Sequence, residues 1–252
     1  MPRLNKVPQV TLAFWVIKIL ATTIGETGAD YLAFKMGLGV VGTAAVMTGL
    51  LLVALVFQFR ARRYSPILYW LSVVLLSVVG TLATDIASDR FGISLIISTA
   101  TFAVLLVMTF GVWFVREETV SIHQIDSRRR EMFYWTAILF TFALGTAAGD
   151  LVAEKLQWGY GLSAVIFGLA ITAAAVAYFV FKVSFDLVFW IAYVLTRPFG
   201  ASMGDLLSQP TASGGLGFGA ERVSLVFLVA ILGLVAGLSL SSRRGRRPSR
   251  TD

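Results

Sequence analysis

Ten residues after Trp135 the chain reads Gly145-Thr146-Ala147-Ala148-Gly149-Asp150. This stretch decides the fold, because it is written four times. Gly25-Glu26-Thr27-Gly28-Ala29-Asp30 follows Trp15, Gly80-Thr81-Leu82-Ala83-Thr84-Asp85 follows Trp70, and Gly200-Ala201-Ser202-Met203-Gly204-Asp205 follows Trp190. In every copy a Gly stands ten residues, and an Asp fifteen residues, after the Trp. The chain holds only eight aspartates, so four at one offset mark an internal repeat. The Trp-to-Trp steps are 55, 65 and 55 residues, and the longer middle step is absorbed by the charged stretch Arg116–Glu131.

Outward from the motif the sequence is strongly apolar. Of 252 residues, 57% are hydrophobic and 14% charged, with a mean hydropathy of +0.82. Ordinary soluble domains carry about 25% charged residues, so a soluble monomer, a disordered chain and a nucleic-acid-binding module are all excluded. A membrane helix needs about 20 mostly apolar residues. Eight stretches qualify: 7–25, 36–59, 64–84, 91–115, 132–149, 156–181, 187–204 and 223–242. The first contains Lys18 and the seventh Arg197. The expected fold is therefore an all-α integral membrane protein of eight transmembrane helices. They form four parallel two-helix hairpin repeats in two pseudo-symmetric halves, 1–115 and 132–242, joined by a cytoplasmic loop at 116–131 and followed by a basic tail at 243–252. An even number of helices per repeat inserts every repeat the same way up, so the symmetry axes run along the membrane normal. The N-terminus runs into a full-length span with no small-residue cleavage site and reads as a first helix, not a signal peptide.

Basic residues set the orientation. Fifteen Lys and Arg fall on the side of the termini, including Arg60, Arg62, Arg63, Arg116, Arg128, Arg129 and Arg130 and the five arginines of the tail. Only Lys35, Arg90, Lys155 and Arg222 fall on the other. Both termini are expected in the cytoplasm. The net charge of +7 has this topological meaning, with contact to anionic lipid at the tail.

At 1.5 Å per residue, each Asp lies roughly 22 Å along its helix from the Trp. With the Trp residues as interface anchors, Asp30, Asp85, Asp150 and Asp205 form one layer in the outer half of the membrane. Glu26, Asp89 and Glu154 add a second acid one turn away in three repeats, and Gln209 takes that place in the fourth. Small residues let the helices approach, or expose carbonyls if the helices unwind. Intramembrane carboxylates mark an ion or substrate path. Hard oxygen ligands favour Mn²⁺, Mg²⁺ or Ca²⁺. The chain has no Cys, and its one histidine, His123, lies in the middle loop. Thiolate sites, disulfides and His-based triads are therefore absent, and no Gly-x-x-x-x-Gly-Lys motif supports an ATPase.

A plainer reading makes the acids solvated, with Lys35, Arg90 and Lys155 five residues beyond three of them as surface partners worth about 0–1 kcal/mol. It suits Asp89 and Glu154 better than the four repeat aspartates, since a solvated Asp needs no Gly at a fixed distance before it. Lys18 can snorkel to the nearby interface. Arg197, followed by Pro198, is expected to kink its helix and face the interior as a counter-ion to a repeat carboxylate.

The run Thr196-Arg197-Pro198-Phe199-Gly200-Ala201-Ser202-Met203-Gly204-Asp205-Leu206-Leu207, with the first and third motifs, resembles a bacterial family. Its members are repeat-containing inner-membrane proteins known as uncharacterised membrane-anchored proteins, some of them associated with manganese export. The resemblance spans nearly the whole chain. It implies a place in the bacterial inner membrane and a functional set of Glu26, Asp30, Asp85, Asp150, Asp205 and Arg197. The expected function is a secondary transporter exporting a divalent cation, Mn²⁺ first, with proton or Na⁺ exchange at the same carboxylates and no resident cofactor. A channel or carrier for a small cationic or organic solute, and a non-transporting scaffold, remain as alternatives. An enzyme is least favoured, because no nucleophile accompanies the acids.

Overall fold

Thr11 starts the first helix by accepting the Phe14 N–H at 3.3 Å. Further on, Ser65 precedes Pro66 at the first helical position, while the hydroxyls of Ser94 and Ser127 accept the N–H groups of Ile97 and Arg130. These caps answer the unpaired N–H groups that every helix start leaves. The computed structural model describes residues 5–244, with side chains through Leu240, and contains no strand among them. Its helices are α1 Leu12–Asp30, α2 Gly39–Arg60, α3 Pro66–Asp85, α4 Leu95–Glu117, α5 Arg128–Asp150, α6 Gly159–Phe179, α7 Phe185–Ser208 and α8 Ala220–Arg244. The end of the basic tail, residues 245–252, lies outside the described residues, as does Arg3.

Seven of these helices are long and apolar enough to cross a membrane; α7 is the exception. Its Arg197, Pro198 and run of small residues lower its apolarity. The cost is small because α7 sits in the interior, where lipid is not its solvent. The candidate spans on α1, α3 and α5 are 61, 67 and 56% buried, whereas those on α2, α4, α6 and α8 are each 17% buried. The odd helices thus form an inner ring, and the even ones an outer layer whose exposed Leu, Val and Phe side chains suit a hydrocarbon solvent.

The ring closes on itself: α1 packs on α3, α3 on α5, α5 on α7 and α7 on α1. The motif glycines make this possible. A methyl added at Gly25 would overlap Ser77, at Gly80 Phe142, at Gly145 Arg197 and at Gly200 Thr22. In each case the partner is the residue seven after the Trp on the next inner helix. The interface between the two sequence halves is built like those within them. Each even helix packs on the following inner helix: α2 on α3, α4 on α5, α6 on α7 and α8 on α1. A hairpin therefore does not cover itself. It is covered by its neighbour.

Three expectations need correction. Residues 7–11 are not part of the first helix, because Thr11 caps it and Pro8 precedes the cap. The middle loop is shorter than 116–131, since α4 runs to Glu117 and Ser127 starts α5 at Arg128. Three of the four leading Trp residues are not interface anchors, and the fourth, Trp15, is half-buried against the same core. Trp70, Trp135 and Trp190 are 2–5% exposed and join one aromatic core with Phe14, Tyr69, Tyr134 and Phe189. Aromatic burial of that size outweighs what an interfacial position would give.

Candidate cation site

Four-residue steps from each Trp place like positions on one helix face. One residue before the Trp stand Phe14, Tyr69, Tyr134 and Phe189. Three after it come Lys18, Val73, Ile138 and Tyr193, and seven after it Thr22, Ser77, Phe142 and Arg197. Eleven after it come Glu26, Thr81, Thr146 and Ala201. All sixteen are buried, so the axis of the ring is filled layer by layer. The fifth layer is the four aspartates, and there the packing opens.

A cavity of about 200 Å³ lies at that end. Asp30, Asp85, Asp150 and Asp205 line it, with Glu26 from the layer below and Asp89, Glu154 and Gln209 from the layer above. The inner helices run unbroken through the glycine motifs, so no carbonyls are freed there. The change comes just after the Asp. Tyr31–Lys35, Ile86–Arg90 and Leu151–Lys155 each form one wide π turn. Such single-turn π segments often mark functional sites. Asp89 and Glu154 lie within two of these turns and line the same cavity as Asp85 and Asp150. The fourth repeat has no such turn: α7 continues to Ser208, and Pro210 ends it.

Glu26, Asp150 and Asp205 each offer a carboxylate oxygen, all within 4.8 Å of one another, on three different helices. Like charges gathered this closely in a walled site repel strongly, and a cation among them relieves the repulsion. Asp30 stands apart from this trio and accepts the Gln209 amide N–H at 3.2 Å. Asp85 lines the wall, and Asp89 and Glu154 are exposed at the mouth, the latter accepting the Tyr160 hydroxyl at 3.2 Å. Among the described residues Lys35, Arg90 and Lys155 are exposed and make no ion pair. The surface-pair reading of these acids is thereby removed.

Arg197 forms the floor. It is 0% exposed, and its guanidinium donates to Glu26 Oε2 at 3.0 Å, Thr22 O at 2.9 Å, Thr146 Oγ1 at 2.7 Å and Thr81 Oγ1. One planar fork on α7 thus ties the other three inner helices together. Its carboxylate partner is Glu26, not a repeat aspartate. The helix continues through Pro198, whose ring faces Gly145. Thr22, Thr81 and Thr146 were missed by sequence reading. The signal was present, since Glu26, Thr81 and Thr146 share the position eleven after the Trp. Lys18 does not snorkel. Its ammonium is fully buried, 4.2 Å from the ring centroids of both Phe142 and Tyr193, with no hydrogen-bond acceptor. The aromatic faces take the place of water.

The family described as Repeat of Unknown Function (DUF347) matches the chain four times, at residues 13–64, 68–119, 133–184 and 188–244. Nothing among curated proteins or solved structures matches the chain. The four matches begin two residues before each leading Trp and cover nearly all of the chain, so it belongs to the Repeat of Unknown Function (DUF347) family.

Proposed function

We propose that the protein is a secondary transporter of the bacterial inner membrane that exports a divalent cation, Mn²⁺ foremost, through the carboxylate cavity in exchange for protons or Na⁺. The observation that carries this reading is the trio Glu26, Asp150 and Asp205, whose oxygens lie within 4.8 Å of one another at the base of an open cavity. Oxygens around one such ion at bonds of about 2.2–2.5 Å lie about 3–5 Å apart. A purely oxygen donor set suits hard cations and disfavours the softer ones. Asp30, Asp85, Asp89 and Glu154 draw cations toward the trio, and Arg197 offsets one charge at the floor.

The test is Mn²⁺ flux into proteoliposomes with and without a pH or Na⁺ gradient. Asp150→Asn and Asp205→Asn should each abolish flux while leaving the folded protein intact, and Asp89→Asn at the mouth should only reduce it. No wild-type flux of Mn²⁺, Mg²⁺ or Ca²⁺ under any gradient rejects the transporter. A scaffold reading draws on the four groups that Arg197 joins. It predicts loss of stability, not of flux, when the acids are neutralised.

A further inference from the structure

At the opposite end of the ring the chain holds another cation among oxygens. Lys6 is 2% exposed, and its ammonium donates to Glu131 Oε2 at 2.6 Å and to the backbone carbonyls of Gln58 and Phe59 at 3.3 and 3.2 Å. Those carbonyls belong to the last turn of α2, where the helix dipole is negative. Gln58 is 1% exposed; its amide nitrogen donates to Glu131 Oε1 at 3.4 Å, and its Oε1 has no donor. The oxygens around the ammonium are thus two carbonyls and a carboxylate, and the neighbouring Gln58 side chain carries an unpaired amide oxygen. Together they are a set of hard oxygen donors, the kind that takes Ca²⁺ or Mn²⁺.

The segment that carries Lys6 is short and non-helical, and this buried side chain is its main polar anchor. Its backbone ties to the middle loop are Lys6 N–H to Ile125 O at 3.3 Å and the Asn5 amide to Ile122 O at 3.0 Å. Val7 packs into the aromatic core beside them, and a cavity of about 350 Å³ separates the segment from Tyr64 and Trp70. A short stretch of non-helical chain thus lies at the Trp end of the ring, with a charged side chain as its pin.

We propose that the Gln58–Phe59–Glu131 oxygens form a second divalent-cation site at the Trp end of the ring, which Lys6 occupies as a tethered surrogate so that the N-terminal segment acts as a releasable stopper. The stopper role rests on the transporter reading, whereas the site itself does not. Removing Lys6 leaves the buried Glu131 carboxylate with the Gln58 amide at 3.4 Å but without an opposite charge, which a bound cation would restore. In such a chain the divalent ion becomes part of the fold.

The test uses full-length protein carrying Asp150→Asn and Asp205→Asn, so that the first cavity is silent, and measures thermal unfolding with and without Mn²⁺. Adding Lys6→Met should produce a protein whose Tm rises by about 5–10 °C at Mn²⁺ a hundredfold above its Kd. The background with native Lys6, and the pair Lys6→Met/Glu131→Gln, should show no rise. No rise in Lys6→Met, or an equal rise in Lys6→Met/Glu131→Gln, overturns the site. Should Lys6→Met fail to fold even with Mn²⁺, the stopper is read from Asn5→Cys/Ile122→Cys in the cysteine-free wild-type chain. Cross-linking should stop Mn²⁺ flux and reduction restore it. Flux indifferent to the cross-link overturns the stopper, while absent flux in the reduced protein counts against the transporter instead.

Discussion

Arg197 is the residue on which the interior turns. It bonds to three helices at once and neutralises Glu26, so removing it leaves a buried carboxylate without its opposite charge and with the Thr81 hydroxyl at 3.4 Å as a remaining donor. Breaking a buried pair from one side typically costs about 3–5 kcal/mol. Arg197→Met should therefore lower thermal stability sharply in detergent, and Glu26→Gln added to it should recover much of the loss. A double-mutant cycle showing independent effects would reject this coupling. Arg197→Lys should rescue only in part: the bonds to Glu26, Thr81 and Thr146 all leave from the single nitrogen Nη2, and the shorter side chain gives up the Nη1 bond to Thr22 O. At the trio, Asp150→Asn and Asp205→Asn should weaken Mn²⁺ binding by at least about 10–100-fold, the range seen when a supporting group of a metal site is lost. Isothermal titration of the purified protein measures it.

At the scale of the helix, the glycine ten residues after each Trp sets how close two inner helices come. A methyl at Gly80 would strike the Cβ of Phe142 and the backbone beside it, neither of which can swing away. Gly80→Ala should cost about 1–3 kcal/mol and lower the Tm, whereas Gly49→Ala on outer helix α2, with nothing within 4 Å, should be neutral. Equal effects at the two positions would contradict the ring contacts. The periodic motif made the four motif-bearing helices legible from sequence, because Gly, Asp and Trp recur at fixed offsets; that these four form an inner ring closed in chain order came from the packing. The π turns were not legible. Tyr31–Lys35, Ile86–Arg90 and Leu151–Lys155 share a Lys or Arg five residues after the motif Asp, where the fourth repeat has Pro210, but a cation at that place does not by itself specify a π turn.

Across the whole molecule the repeat produces a closed ring, with every outer helix on the neighbouring repeat. No single hairpin buries its own apolar face, so the four must assemble together. The excess of basic residues at the Trp end predicts that this end faces the cytoplasm. With no native cysteine, His123→Cys in the exposed middle loop and Lys155→Cys at the cavity mouth are clean reporters. A membrane-impermeant maleimide added outside intact cells should label Lys155→Cys and spare His123→Cys. The reverse pattern would invert the protein and make the cavity face the cytoplasm.

From the order of amino acids alone came the apolar class, the four repeats, the helices that carry the motif and the acidic layer. Each of these depends on composition or on spacing along one chain, which local helical geometry converts directly into position. Tertiary structure decided which acids meet. Glu26, Asp150 and Asp205 come from three helices, and only the ring brings their oxygens within 4.8 Å. It also decided the fate of the interior cations, because whether a buried Lys or Arg finds aromatic faces, carbonyls or a carboxylate depends on the neighbouring helix. Lys18 lies between Phe142 and Tyr193, Arg197 on Glu26, and Lys6 on Glu131, partners 124 or more residues away in sequence. Those pairings belong to helix packing, which no single segment encodes.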